Sequence, residues 1–215
     1  MAQAFLVEAD SVKYHKDYLW EFNGPQLDDA GIAYWKSHID FEDRRKERRS
    51  HYTYLFPDRV QRQSALWSQL KDWGQAYELE IVYISAFAGI RDERSGIHID
   101  TRENKPRPVR LNFPLNMFSG TMAWYEEIPE DKLIWEVGNP AKPHEKYLVP
   151  PKYESQPTPV WTSQLPVNQG YWVRTDIPHV VDFKGVPVNR AVLSVSFLPN
   201  ISWQELIDKV VPDPV

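Results

Sequence analysis

Not one cysteine occurs among the 215 residues. That excludes a disulfide framework, a thiolate zinc site, an iron–sulfur cluster and a cysteine nucleophile. Long apolar runs are missing as well: no stretch approaches the ~18 consecutive apolar residues of a membrane-spanning helix. The first ten residues hold no basic cluster, and Glu8 and Asp10 interrupt them, so no secretory signal is expected and a cytoplasmic location is the default. Surplus positive charge is absent too. With 25 Lys and Arg against 30 Asp and Glu, the net charge is −5, which argues against a nucleic-acid coat that must neutralise many phosphates. The chain holds no internal repeat and no low-complexity tract.

What the chain does contain is apolar and aromatic. Hydrophobic residues make up 42%, and 29 aromatics (9 Trp, 11 Tyr, 9 Phe) supply bulk for a core, which sets the chain apart from disordered ones. The length suits one domain. We expect a helical N-terminal part over 1–75, a β core over 76–200 and a C-terminal helix or tail over 201–215. Seven of the 18 prolines fall between Pro129 and Pro159. Proline interrupts both ladders and helices, so 127–159 should form a long excursion between strands.

Local patterns refine this. Residues 27–38 read as a helix carrying Ile32, Ala33, Tyr34 and Trp35. Asp58 reads as the N-cap of a helix to about Trp73, with Val60, Leu66, Trp67, Leu70 and Trp73 on one face and Gly74 at C′. The basic run at Arg44, Arg45, Lys46, Arg48 and Arg49 is interspersed with acids and reads as a solvated helical face. Beyond Gly74 the period changes. Residues 79–87, 96–100, 108–115, 121–126, 132–137, 160–165, 171–174, 180–183 and 190–198 read as short strands, pointing to an antiparallel sandwich or barrel such as a jelly roll. Ser202 is placed to cap a last helix towards Val211. The fold class is therefore mainly β with N-terminal α-helices.

Chemistry concentrates at His98-Ile99-Asp100. Residues two apart on a strand share a face, so His98 and Asp100 can reach one metal while Ile97 and Ile99 face away. The same tripeptide at His38-Ile39-Asp40 reads as helical, where residues two apart diverge, so it is set aside. A third ligand is expected from the late strands, where His179 is the histidine available. Two imidazoles and one carboxylate form the facial triad of a non-heme Fe(II) centre with open positions for a co-substrate and O₂. Arg190 follows eleven residues after His179, and on its strand Arg190, Val192, Ser194 and Ser196 share one face. A guanidinium among hydroxyls needs an anion, and a dicarboxylate co-substrate offers one it can bind with two hydrogen bonds.

Taken in order, His98-x-Asp100, His179 and Arg190 with Ser194 downstream resemble the Fe(II)/2-oxoglutarate-dependent oxygenases, over roughly residues 79–198. Val109-Arg110-Leu-Asn112-Phe-Pro-Leu115 is similar to the next strand in the aspartyl/asparaginyl β-hydroxylase-like and prolyl-hydroxylase-like groups. The resemblance implies a double-stranded β-helix of jelly-roll, cupin-like form, with His98, Asp100 and His179 on iron and Arg190 on the distal carboxylate of 2-oxoglutarate. It further implies that Arg110, Asn112 and Ser194 help to hold that co-substrate, with Ser85 as a further contact. The implied reaction is hydroxylation of an amino acid, peptide side chain or small metabolite, consuming O₂ and releasing succinate and CO₂. The presence of Asp100 separates the chain from halogenases, which lack the carboxylate. Two other readings stand beside it: a non-catalytic jelly-roll binding or structural module, and a cupin-type metalloenzyme that does not use 2-oxoglutarate. Neither requires Arg190. Trp124 and Tyr125 are expected in the core or lining a pocket; Arg91, Arg94, Arg102, Lys105, Arg107 and Arg110 flank the site and offer an attraction for an anionic substrate that Asp92, Glu93 and Glu103 partly cancel.

Overall fold

Alternation along the strands explains how the sheets are layered. The computed structural model describes residues 12–39, 51–89, 96–102, 105–115, 120–137, 146–149, 157–167, 169–182 and 190–211. Strands β1 (Leu19–Glu21), β2 (His51–Leu55), β3 (Glu80–Gly89), β4 (Thr101–Arg102), β5 (Lys105–Pro106), β6 (Val109–Pro114) and β7 (Thr121–Trp124) come first. They are followed by β8 (Ile134–Val137), β9 (Lys146–Val149), β10 (Trp161–Gln164), β11 (Tyr171–Arg174), β12 (His179–Asp182) and β13 (Arg190–Leu198). Helices α1 (Asp29–Ser37), α2 (Asp58–Gln63) and α3 (Ala65–Ala76) lie in the first third, and α4 (Trp203–Val210) follows β13.

Six strands form a large antiparallel sheet in the order β1-β11-β6-β13-β3-β2, and three form a smaller one in the order β10-β7-β12. An isolated bridge, His98 to His179, lays the 96–100 segment beside β12 and extends the smaller sheet by one rung. From β3 onward the chain visits the large sheet (β3), the small one (96–100), the large (β6), the small (β7, β10), the large (β11), the small (β12) and the large again (β13). The two remaining pairs, β4 with β5 and β8 with β9, decorate this frame.

Strand parity gives the large sheet two unlike faces. On one, Ile84, Ala86, Leu111, Phe113, Leu193 and Val195 pack with Trp35, Leu66, Leu70 and Leu206 of the helices. Each such side chain, fully buried, contributes roughly 1.5–3 kcal/mol, which makes the helices the cover of that face. The opposite face turns to the small sheet. There Leu19, Tyr171 and Val173 meet Met122, Trp124 and Leu165 in a second core. Towards the centre of the same face the residues become polar: Ser194 is in register with both Asn112 and Ser85.

Several expectations are corrected. The 1–75 segment is not helical alone, because β1 and β2 take the two edges of the large sheet. Three residues are too few for β1 to reveal a period, and β2 adjoins a charged run that masks its alternation. One expected helix is two. Pro57, not Asp58, occupies the N-cap of α2, and Ser64 ends α2 while its hydroxyl accepts from Trp67 N to start α3. Gly74 lies inside α3, with Tyr77 at the C-cap and Glu78 at φ 57° making the turn. Glycine is required there by close approach: a Cβ would sit 2.4 Å from the Leu79 carbonyl oxygen. The last helix starts as expected, with Ser202 and Glu205 forming a reciprocal capping box. The basic run 44–49 lies outside the described residues. No helix among the described residues is long and apolar enough to cross a membrane.

Candidate metal centre

Two short segments, far apart in sequence, bring the donors together. His98 N donates to His179 O (3.0 Å) and His179 N to His98 O (2.9 Å), a reciprocal pair that fixes the two histidines side by side. Their rings lie 4.6 Å apart, tilted by 49°. Two residues on from His98, Asp100 returns to the same face. Its Oδ1 lies 3.4 Å from His98 Nε2 and 4.0 Å from His179 Nε2, and one ligand atom from each of the three residues falls within 4.8 Å of the others. Among the described residues this is the one cluster of three such donors.

Protonation is set by the backbone. Gly96 O lies 2.7 Å from His98 Nδ1, and Ile177 O lies 2.9 Å from His179 Nδ1. A carbonyl can only accept, so each Nδ1 carries a proton and in the neutral ring the Nε2 lone pair is left for a metal, the arrangement that orients imidazole ligands. The histidines nevertheless titrate apart. Burial, followed by the charge of His98, pushes His179 down to about 4, so it is neutral at neutral pH. Burial also presses on His98, but its bond to Asp100 and the charge of that carboxylate raise it. Burial likewise opposes ionisation of Asp100, yet the Arg110 guanidinium, with both histidines, holds that carboxyl well below the usual range. At neutral pH the cluster therefore offers a carboxylate and at least one neutral imidazole.

Arg110 Nε donates to Asp100 Oδ2 at 2.5 Å, its Nη1 donates to Ser194 Oγ at 3.3 Å, and its guanidinium carbon sits 4.9 Å from the Phe87 ring centre. One carboxylate oxygen is thereby tied to arginine while the other faces the imidazoles. Ser194 is fully buried, and Ser85 Oγ donates to its carbonyl oxygen at 3.3 Å. Asn112 stands between Ser194 and Tyr171 in register, and its buried Oδ1 has no partner among the described residues. Arg190 begins β13 opposite Gly89, and its side chain lies outside the described atoms. The structure thus gathers His98, Asp100, His179, Arg110 and Ser194, with Asn112 and Ser85 beside Ser194 on the neighbouring strands.

Other expectations fare differently. Arg107 is no surface lure for an anion: it is 3% exposed and donates from Nη2 to Ser196 Oγ (2.8 Å) and Val195 O (3.3 Å). Nothing in the residue types signals that this arginine, among the five arginines and one lysine flanking the site, turns inward. Trp124 and Tyr125 are both buried, and Trp124 belongs to the core between the sheets. His38 closes α1 with its Nδ1 2.8 Å from Tyr34 O, and Asp40 lies outside the described residues.

No family model and no curated protein matches the sequence. Among solved structures the chain is similar to a viral collagen prolyl hydroxylase from Paramecium bursaria Chlorella virus-1 in its 2OG complex, at 9% identity over 84% of this chain and 94% of that one, with a TM-score of 0.46. It is also similar to AviO1 from Streptomyces viridochromogenes (16% identity, 86% and 91% covered, TM-score 0.44) and to a Pseudomonas putida prolyl-4-hydroxylase (11%, 84% and 92%, TM-score 0.42). At these identities and TM-scores the likeness lies in the outline of the chain, and the chemistry has to be read from the donor atoms themselves.

Proposed function

We propose that the protein is an Fe(II)- and 2-oxoglutarate-dependent oxygenase that hydroxylates an amino acid, peptide side chain or small metabolite, built as a double-stranded β-helix. The observation that carries the reading is the donor set: one ligand atom from each of two imidazoles and a carboxylate within 4.8 Å of each other, Asp100 Oδ1 lying 3.4 and 4.0 Å from the two Nε2 atoms, with both Nδ1 atoms facing backbone carbonyls. Two imidazoles and a carboxylate are the ligands of non-heme Fe(II) and leave open positions on the metal. The alternation of successive strands between two sheets supports the double-stranded β-helix, and the whole 1–215 chain is read as one domain.

Iron bound there supplies the redox step, in which O₂ oxidises 2-oxoglutarate and the substrate and succinate and CO₂ leave. The chain's own residues prepare for it. His98, Asp100 and His179 hold the metal; Arg110 keeps Asp100 ionised and turned so that Oδ1 faces the imidazoles. The polar strip of Ser85, Ser194 and Asn112, ending on an Asn112 Oδ1 without a partner among the described residues, suits a polar guest between the sheets better than a closed apolar core, since buried polar atoms without partners are costly. Arg190 is assigned to the distal carboxylate of the co-substrate, with Arg110, Asn112 and Ser194 lining its path.

Succinate formation under air tests the activity. Wild-type protein with Fe(II), ascorbate and 2-oxoglutarate, presented with a panel of free amino acids and peptides, should release succinate, and His98→Ala should not. Metal-loaded wild type that consumes no 2-oxoglutarate with any of them contradicts the assignment.

A further inference from the structure

We propose that Thr175 is a positioning residue of the metal centre, acting through its hydroxyl; this deepens the metal-centre reading above and rests on it. Thr175 touches none of the three ligand atoms. It lies in the short turn between β11 and β12 and is 2% exposed. Three hydrogen bonds join it to the segment that carries Asp100. Asp100 N donates to Thr175 O (3.0 Å), Thr175 N donates to Pro108 O (2.8 Å), and Thr175 Oγ1 donates to Arg107 O (2.6 Å). Arg107 N closes the loop by donating to Asp100 O (2.7 Å). The segment leaving Asp100 and the one returning at Arg107 are thus both pinned to one residue, four positions before His179.

Only part of this depends on residue type. Any amino acid except proline supplies the two backbone bonds, whereas the bond to Arg107 O needs a hydroxyl. That bond is buried, so replacing the hydroxyl by a methyl group sets an apolar group against a buried carbonyl. It also links the centre to the large sheet, because the Arg107 guanidinium runs on to Ser196 and Val195 of β13. Asp100 sits on a short connection beyond a two-residue bridge, and the Thr175 hydroxyl fixes where that connection returns. The spacing between Asp100 Oδ1 and His179 Nε2 is set across this clasp.

The test uses Co(II) as a spectroscopic probe on the full-length protein, without co-substrate. Wild type, Thr175→Val, Thr175→Ser and, as a distant control, Ser64→Ala are titrated while the visible ligand-field spectrum and the thermal transition are recorded. Thr175→Val should bind Co(II) about 10-fold more weakly, the lower end of what losing an outer-shell partner costs a metal site, and with an altered spectrum. Thr175→Ser restores both. Ser64→Ala, which loses the α3 cap and the hydroxyl's bond to Gln61 O, lowers the transition temperature without moving either. Thr175→Val with wild-type affinity and spectrum overturns the proposal, as does a Ser64→Ala variant that loses metal to the same degree. If Thr175→Val fails to fold, Thr175→Ala, lacking the same hydroxyl, takes its place with the same expected loss. Failure of wild type to bind Co(II) removes the metal reading itself and this inference with it.

Discussion

The two histidines of the metal centre take up protons in different pH ranges. His179 is held near 4 and His98 above its usual value, so between about pH 5 and 6.5 His98 carries a proton and His179 does not. Asp100 stays ionised throughout that window. A divalent metal must displace the His98 proton, and its affinity should fall about tenfold per pH unit as pH drops below the His98 pKa. Calorimetric titration at pH 6 in two buffers of different ionisation enthalpy should give close to one proton released per metal; two would contradict the assignment. The Arg110–Asp100 pair makes a second prediction. Removing one partner of a buried ion pair typically costs about 3–5 kcal/mol, because the other charge is stranded. In urea, Arg110→Met should therefore lose about 3 kcal/mol, and adding Asp100→Asn should return part of it. The triad was legible in the sequence because its chemistry is carried by residue type and strand parity. Arg110's grip on Asp100 was not, since the intervening β4–β5 pair decides whether residues ten apart meet. The Thr175 clasp was still less so, being mostly backbone.

Elements follow local rules where those rules are self-contained. The parity of β13 and β6, with apolar residues towards the helices and polar ones towards the small sheet, was visible in the alternation of the residues themselves. So was the Ser202 cap of α4, whose replacement by alanine should cost about 1 kcal/mol in urea unfolding. Gly74 shows where local rules stop. By helix propensity, Gly74→Ala should stabilise α3 by about 1 kcal/mol, but the added methyl group would meet the Leu79 carbonyl at 2.4 Å. We expect Gly74→Ala to destabilise the protein in urea unfolding, and a stabilised variant would contradict the close approach. Strand β1 escaped detection because its three residues owe their conformation to β11 and not to a period of their own.

For the whole molecule, the triad ties two distant parts of the chain to one ion. Residues 98–100 and 179 are joined by a reciprocal pair of backbone bonds and by the Thr175 clasp, so metal binds the folded state and not the unfolded chain. At a free metal concentration 100 times its Kd, linkage adds about 2.7 kcal/mol. For a chain of this size that is a rise of roughly 5–10 °C in transition temperature. The shift should vanish in His98→Ala. The helices matter here by covering the outer face of the large sheet, leaving its inner face free to stay polar at Ser85, Asn112 and Ser194.

The central claim is that His98, Asp100 and His179 hold Fe(II) with positions left open for 2-oxoglutarate. It is tested most directly by anaerobic addition of Fe(II) and then 2-oxoglutarate to the metal-free protein, followed by visible absorbance. Wild type should develop a metal-to-ligand charge-transfer band that His179→Ala lacks, and Arg190→Ala should need far more 2-oxoglutarate to reach it. Folded wild type with Fe(II) bound and no such band at saturating 2-oxoglutarate would contradict the account.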